Sequence, residues 1–298
     1  MGLLAPTKSA WWPSRLLSPQ RLRRLTTGAV AGAALLAVSA CSAEGKDELQ
    51  RLAMPAPRSI EAQHTYDLWH WGWLAAMVTG ILVWGLIFYA VVRYRRRSDD
   101  EIPVQTRYNL PIEIFYTVVP VMMVIVFFFF TLKVQDAVVP ADEGTPAHTI
   151  EVVGQQWSWT FNYVKDDSLN GQTVYEGGTT ADAPTLWLPV NQKIRFNLHS
   201  PDVIHSFWVP SFLFKMDVVP GRANHFSLTP NRKGEYLGKC AELCGVYHSR
   251  MLFNVKVVSG AEYAAHLKQL QAQGNTGLAE GGSHVNEQPG LRSGGGTP

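Results

Sequence analysis

Within twelve residues the chain places two cysteines, a histidine and a methionine: Cys240-Ala-Glu242-Leu-Cys244-Gly-Val-Tyr-His248-Ser-Arg-Met251. Thiolate, imidazole and thioether are ligands for soft and borderline metals, and the methionine tilts the set towards copper. Zinc seldom takes a thioether, and structural zinc sites favour the closer C-x2-C pairing. A four-cysteine iron–sulfur cluster is excluded by count, because the chain has three cysteines and the third, Cys41, lies far away in sequence. A disulfide or a pair of inert core thiols is the alternative. Neither accounts for a histidine and a methionine falling in step with both cysteines. One loop rarely closes a metal site, so a further ligand should come from a distant strand. His199, His205 and His225 are the candidates. His205 opens the apolar stretch His205-Ser-Phe-Trp-Val-Pro210, where a ligand can be held rigidly.

Such ligands need strands to hold them, and residues 133–260 supply the pattern. Runs rich in β-branched and aromatic residues alternate with turn residues at Thr149–Val153, Trp157–Val164, Thr185–Pro189, Lys193–His199, His205–Val209, Asn224–Leu228, Gly234–Cys240 and Phe253–Val258. Strands spaced in this way, with no good helix between them, predict a sandwich or barrel. This segment carries 11 basic and 12 acidic side chains, with no clustered basic face, so a nucleic-acid partner is not expected. Beyond it, Ala261–Gln273 reads as a short helix and Gly274–Pro298 as a glycine-rich disordered tail.

The first half reads differently. The 298 residues suggest about two folding units, and 17% charged with 46% hydrophobic residues excludes a disordered chain or a coiled coil. From Leu68 to Val92 the only titratable side chains besides tyrosine are those of His70, and Trp69, Trp71 and Trp73 crowd one end. Such a stretch rises about 37 Å as a helix, enough to cross a ~30 Å hydrocarbon core. A second span runs from about Asn109 to Leu132. Arg93, Arg95, Arg96, Arg97 and Arg107 lie between the two, which places that loop in the cytoplasm and the copper-binding candidate outside. Glu113 lies inside the second span; a carboxylate there is either functional or an interfacial residue near the helix start. Residues 1–40 hold five basic side chains and no acid, with Arg21, Arg23 and Arg24 ahead of the short apolar run Ala29–Ala40. That is the pattern of an export signal, and export of the N-terminus requires the same topology as the arginine loop. Val38-Ser39-Ala40-Cys41 resembles a bacterial lipobox, which implies cleavage before Cys41, lipidation of that cysteine, and a surface tether over residues 41–64.

Cys-x-Glu-x-Cys-x3-His-x2-Met, preceded by Asp202-Val-Ile-His205-Ser-Phe-Trp-Val-Pro210, by Gln156-Trp157-Ser158-Trp159 and by Pro220-Gly221-Arg222, is similar to subunit 2 of cytochrome c oxidase. The resemblance covers roughly residues 65–260, with the two-span hairpin at 65–132 and the exported domain at 133–260. It implies a cupredoxin-like β-barrel with a dinuclear copper centre: Cys240 and Cys244 bridging, His205 and His248 binding one ion each, Met251 weakly axial, and the Glu242 carbonyl as a further ligand. It also implies that Trp157 receives electrons from cytochrome c, that the Glu242 carboxylate binds magnesium at the border with subunit 1, and that Glu113 stands at the mouth of a proton path. The implied partners are subunit 1, other oxidase subunits, cytochrome c and membrane lipid. The lipobox and the glycine-rich tail suggest a bacterial, actinobacterial form at the plasma membrane, with both mature termini on the outer side. Asn162 departs from the family pattern, which often has an acid there that helps to dock cytochrome c. Weak steering of a soluble donor by this nearly neutral domain fits a membrane-tethered cytochrome c. The quinol-oxidase branch of the fold lacks the ligand cysteines, and the nitrous oxide reductase branch needs a large propeller for which this chain has no room.

Overall fold

The computed structural model describes residues 27–28, 43–98 and 100–280. The predicted export signal apart from residues 27–28, the predicted lipidation site Cys41 and residues 281–298 lie outside the described residues. The described residues fall into two units that divide between Met54 and Pro55. In the first, Ala43–Gln50 is a short helix, α1.

The second unit begins with two long helices, α2 (Ile60–Arg93) and α3 (Leu110–Val138). Their most apolar stretches have mean hydropathies of 2.2 and 2.4, and none of those residues is buried within the protein. A buried soluble helix would be covered by its own chain; these touch each other but leave most of their apolar side chains exposed among the described residues, as lipid-facing spans do. Both helices outrun the apolar zones that predict them. Helix α2 starts eight residues before Leu68, because Ser59 caps it by accepting from the Ala62 N–H at 3.0 Å and Ile60–Asp67 is helix-compatible though polar. Helix α3 continues past Leu132 through Lys133, Gln135 and Asp136. The stretch predicted as a free tether therefore ends in ordered helix at residues 60–64, and the β-domain starts at His148 rather than at 133.

Among the described residues, ten strands form two facing five-stranded sheets, in the orders β3-β2-β1-β5-β8 and β4-β10-β9-β6-β7. In chain order they are β1 His148–Gln155, β2 Ser158–Asp166, β3 Gln172–Gly177, β4 Thr185–Pro189, β5 Ile194–His199, β6 His205–Val209, β7 Phe214–Val218, β8 Asn224–Leu228, β9 Gly234–Cys240 and β10 Leu252–Val258. Strands β1 and β5, and β4 and β10, pair in parallel; the other pairs are antiparallel. Alternation puts Phe253, Val255 and Val257 of β10 inside while Leu252 and Asn254 face out. Aromatic rings fill the space between the sheets: Phe207 lies 5.0 Å from Phe253 and Phe196 lies 5.0 Å from Phe226. Every predicted run is a strand, but β3 and β7 carry no strong hydrophobic signal. Both are edge strands, and β3 buries only Val174.

Helix α4 (Gly260–Ala272) opens with a capping box between Ser259 and Glu262 and buries Tyr263, Leu267 and Leu270. Residues 274–280 are not the free tail that their glycines predict. Thr276 bridges Val174, Gly277 donates to the Thr173 carbonyl at 2.9 Å, and the Asn162 side chain bonds both the N–H and the carbonyl of Ala279 at 2.7 and 3.0 Å. An edge strand offers this pairing whatever the composition of its partner.

Candidate metal centre

Three strand ends meet at one end of the sandwich. His205 begins β6, Cys240 ends β9, and Met251 leads into β10. Strands β6 and β9 pair with Phe207 opposite Cys240, so His205 and Cys240 stand side by side. The connecting loop is folded by its own main chain. Cys240 N–H donates to Met251 O at 3.0 Å, Ala241 N–H to Ser206 O at 3.0 Å, and Met251 N–H to His248 O at 3.2 Å. Gly245 sits at φ +129°, and a Cβ there would come within 3.0 Å of the Trp157 ring. Only glycine fits both the backbone and the space.

The donor atoms converge. Cys240 Sγ is 3.8 Å from Cys244 Sγ, 3.9 Å from His205 Nδ1 and 3.2 Å from the carbonyl oxygen of Glu242. Cys244 Sγ is 3.7 Å from His248 Nδ1 and 3.7 Å from Met251 Sδ. The ligand atoms of His205, Cys240 and Cys244 lie within 4.8 Å of one another, and all three residues are buried. The cysteines are free thiols, and their separation is well beyond the ~2.05 Å of a disulfide. The structure thus brings His205 to the cluster and leaves His199 and His225 elsewhere; both line a groove of about 690 Å³ on the outer face of the β1–β5 sheet.

The electrostatics divide the protons of the cluster unevenly. One sulfur of the pair loses its proton readily: the Cys240 thiol is pulled down by its hydrogen bond with Cys244, against burial, and by His205 and main-chain donors. The second proton is held, because a neighbouring thiolate and burial both push Cys244 up. Burial lowers the His205 pKa, but hydrogen bonds with Asp202 and Cys240 more than reverse that and leave it raised. Burial likewise pushes Asp202 up, while hydrogen bonds from His205, Gln156 N–H and Val203 N–H bring it below its ordinary value.

Asp202 is the residue that sequence reasoning missed in this role. Its Oδ1 accepts from His205 Nε2 at 2.9 Å and its Oδ2 accepts from Gln156 N–H at 2.6 Å. The first bond fixes the imidazole tautomer and turns Nδ1 towards the sulfurs. The i, i+3 spacing of Asp202 and His205 was the available signal. Trp157 sits at the tip of the β1–β2 hairpin rather than within β2. It is 9% exposed, and its Nε1–H donates to the Cys244 carbonyl at 3.2 Å. The ring meets Tyr247 edge-on at 5.1 Å. The Glu242 carboxylate is exposed. Glu113 lies far along the chain in the first turn of α3, where its Oε1 accepts from Asn109 N–H at 2.8 Å.

Comparison with known proteins agrees with this geometry. Residues 48–134 match the model for the cytochrome c oxidase subunit II transmembrane domain, and residues 148–258 match that for its periplasmic domain. The probable cytochrome c oxidase subunit 2 of Streptomyces avermitilis is 45% identical, over 94% of this chain and 95% of that protein. The chain belongs to the cytochrome c oxidase subunit II family. The Streptomyces coelicolor relative is 44% identical over the same shares. The solved periplasmic domain of subunit II of cytochrome oxidase from Bradyrhizobium japonicum is 28% identical, covering 44% of this chain and 97% of its own, with a TM-score of 0.39. As a subunit II, the chain is part of an oxidoreductase, anchored in the membrane by α2 and α3 and carrying a cupredoxin-like β-domain with a cysteine–histidine group suited to copper.

Proposed function

We propose that this subunit takes electrons from cytochrome c at a dinuclear copper centre and passes them to the haem of subunit 1, where oxygen reduction drives proton pumping. The observation that carries the reading is the convergence of two thiols, two imidazoles, a thioether and a main-chain carbonyl within 3.2–3.9 Å of a cysteine sulfur. Soft sulfur with imidazole, and a thioether in place of a further thiolate, is a copper donor set. Bound copper supplies a one-electron redox site that needs little rearrangement between its oxidation states. Cys240, Cys244, His205, His248, Met251 and the Glu242 carbonyl would hold the copper, with the thiolates, imidazoles and thioether supplying its soft donor set.

The chain's own residues do the rest. Asp202 orients His205. Trp159 closes the site from within, its Nε1–H on the Met251 carbonyl at 3.3 Å and its ring 6.2 Å from that of His205. Trp157 receives the electron, and its bond to the Cys244 carbonyl links the receiving ring directly to a ligand residue. The exposed Glu242 carboxylate is free to hold magnesium against subunit 1. Glu113 leads to the proton path from the cytoplasmic side, where the arginine loop lies. The β-domain and both mature termini face outwards, Cys41 carries lipid, and the donor is a membrane-tethered cytochrome c.

Copper added to the full chain in detergent tests this. Two copper ions per chain and a mixed-valence electron-paramagnetic-resonance signal are expected, with the signal abolished in Cys240→Ser and Cys244→Ser. A wild-type chain that binds a single zinc and no copper refutes the reading.

A further inference from the structure

The β-domain follows α3 through residues 139–147, a stretch with no regular structure. A single such linker would let the domain swivel over the membrane. The structure fastens it twice, both times at β8 or the few residues that follow it, with Ser211 as a further contact. At the start of α2, Arg58 N–H donates to Ser211 O at 2.9 Å, Asn231 N–H to Arg58 O at 3.1 Å, and Ile60 N–H to Thr229 O at 3.0 Å. Ser59, 1% exposed, bridges Pro230. The Glu61 carboxylate then accepts from Thr229 N–H at 2.9 Å. In the linker after α3, the Glu143 carboxylate accepts from Ser227 Oγ at 2.6 Å and stands 3.7 Å from His225 Nε2, while its carbonyl accepts from Lys193 Nζ.

One carboxylate at the start of α2 thus reaches the residue just past β8, and one in the linker after α3 reaches β8 itself. Thr229 lies just past the last ladder pair of β8, Ile194 with Leu228, so Glu61 supplies the acceptor that the sheet no longer provides. An amide left without one would favour opening of the joint. Strand β8 pairs with β5, and β5 ends at His199, six residues before His205. The carboxylates therefore bear on the sheet that leads into the metal cluster, at a distance from the cluster itself.

We propose that Glu61 and Glu143 are positioning residues that mount the β-domain rigidly on the two membrane spans, and so set where the metal centre stands relative to the partner subunit. This rests on the electron-transfer role proposed above. The joint uses the carboxylates as hydrogen-bond acceptors, so an amide should serve in their place and a methyl group should not.

The test uses the assembled oxidase carrying Glu61→Ala with Glu143→Ala, and separately Glu61→Gln with Glu143→Gln. In the alanine pair the copper absorption and its reduction by cytochrome c should match wild type, while electron transfer onward to the haem slows severalfold. The glutamine pair should restore most of that rate. Hydrogen exchange at the Thr229 amide should be fast in the alanine pair and protected in the glutamine pair. An unchanged onward rate in the alanine pair, with Thr229 exchanging freely, overturns the proposal. So does a glutamine pair as slow as the alanine pair. Where the alanine pair fails to assemble, Glu61→Ala alone, which keeps the Glu143 bonds, gives the same comparison. Absence of a copper spectrum in wild type counts against the electron-transfer role instead, and exchange at Thr229 still decides whether the carboxylates hold the joint.

Discussion

Replacing Asp166 with Asn should destabilise the β-domain in a pH-dependent way. Asp166 ends β2 with a side chain 3% exposed. Its Oδ2 accepts from His148 Nδ1 at 2.6 Å and from the Tyr263 hydroxyl at 3.1 Å, and its Oδ1 accepts from the Ser168 hydroxyl and N–H at 2.6 and 2.9 Å. Burial alone would raise its pKa; the bonds from His148 and Ser168 outweigh this and bring it from 3.8 to about 2. At ~1.4 kcal/mol per tenfold change in proton affinity, the ionised carboxylate contributes about 2 kcal/mol to stability. Because the folded pKa is the lower one, that contribution is complete above about pH 4 and is lost as pH falls towards 2. His148 sets the upper limit. Burial pulls its pKa down, but hydrogen bonds to Asp166 and Gln192 and the charges of Asp166 and Asp167 leave it above 6.5. Its contribution is present below pH 6.5 and fades as pH rises through the folded value. The pair is therefore strongest between about pH 4 and 6.5. Asn keeps an oxygen for Ser168 and loses the charge, so at pH 5.5 Asp166→Asn should melt roughly 5 °C below wild type. The gap should shrink to roughly a third of that at pH 2.5, part-way down the loss that ends below the folded value of about 2. Near-ultraviolet circular dichroism melts of both proteins in the same metal state measure it. An equal gap at both pH values would show that the charge contributes nothing and that shape alone is at stake.

Three further outcomes are expected. Met251→Leu should keep copper bound but shift its reduction potential, because a weakly held thioether would tune the site rather than hold the ion; redox titration of the optical spectrum measures this. Trp157→Phe keeps a buried ring but removes the bond to the Cys244 carbonyl, so reduction by cytochrome c should slow while the copper spectrum stays unchanged, as stopped-flow mixing would show. Glu113→Gln retains an oxygen for the Asn109 N–H and hence the start of α3, so a fall in oxygen consumption per haem with normal copper reduction would report the proton path; unchanged turnover would leave Glu113 a helix cap.

The metal cluster was legible in the sequence because four of its donors sit within twelve residues and their chemical types admit few other uses. His205 could be singled out from three histidines because it opens an apolar strand. The role of Asp202 had only its i, i+3 spacing to His205 as a signal, since it depends on a turn between β5 and β6 that aims one carboxylate at both His205 and the Gln156 N–H. Hydropathy located both membrane helices but not their ends, which are set by the Ser59 cap and by polar helix-forming residues beyond the apolar zone. Composition misled most at the C-terminus. Residues 274–280 look unstructured, yet they pair with β3 through main-chain groups that carry no side-chain signature.

The same distinction bears on how the metal site is built. Its loop is held by Cys240 N–H on Met251 O, Ala241 N–H on Ser206 O, Gln156 Nε2–H on Cys244 O at 2.6 Å and Trp159 Nε1–H on Met251 O. None of these bonds uses a donor atom of the cluster. The backbone that aims the ligands is therefore set by the sandwich and its aromatic core, and the cluster's donor atoms are left free of it, with Asp202 holding the far nitrogen of His205. A site made this way keeps its shape when the ion changes charge, because the bonds that fix the loop are not the ones that feel the electron. It also separates folding from ligation: a serine in place of either cysteine removes a sulfur without removing a bond that holds the loop, so loss of copper in those variants reports on the site and not on the fold.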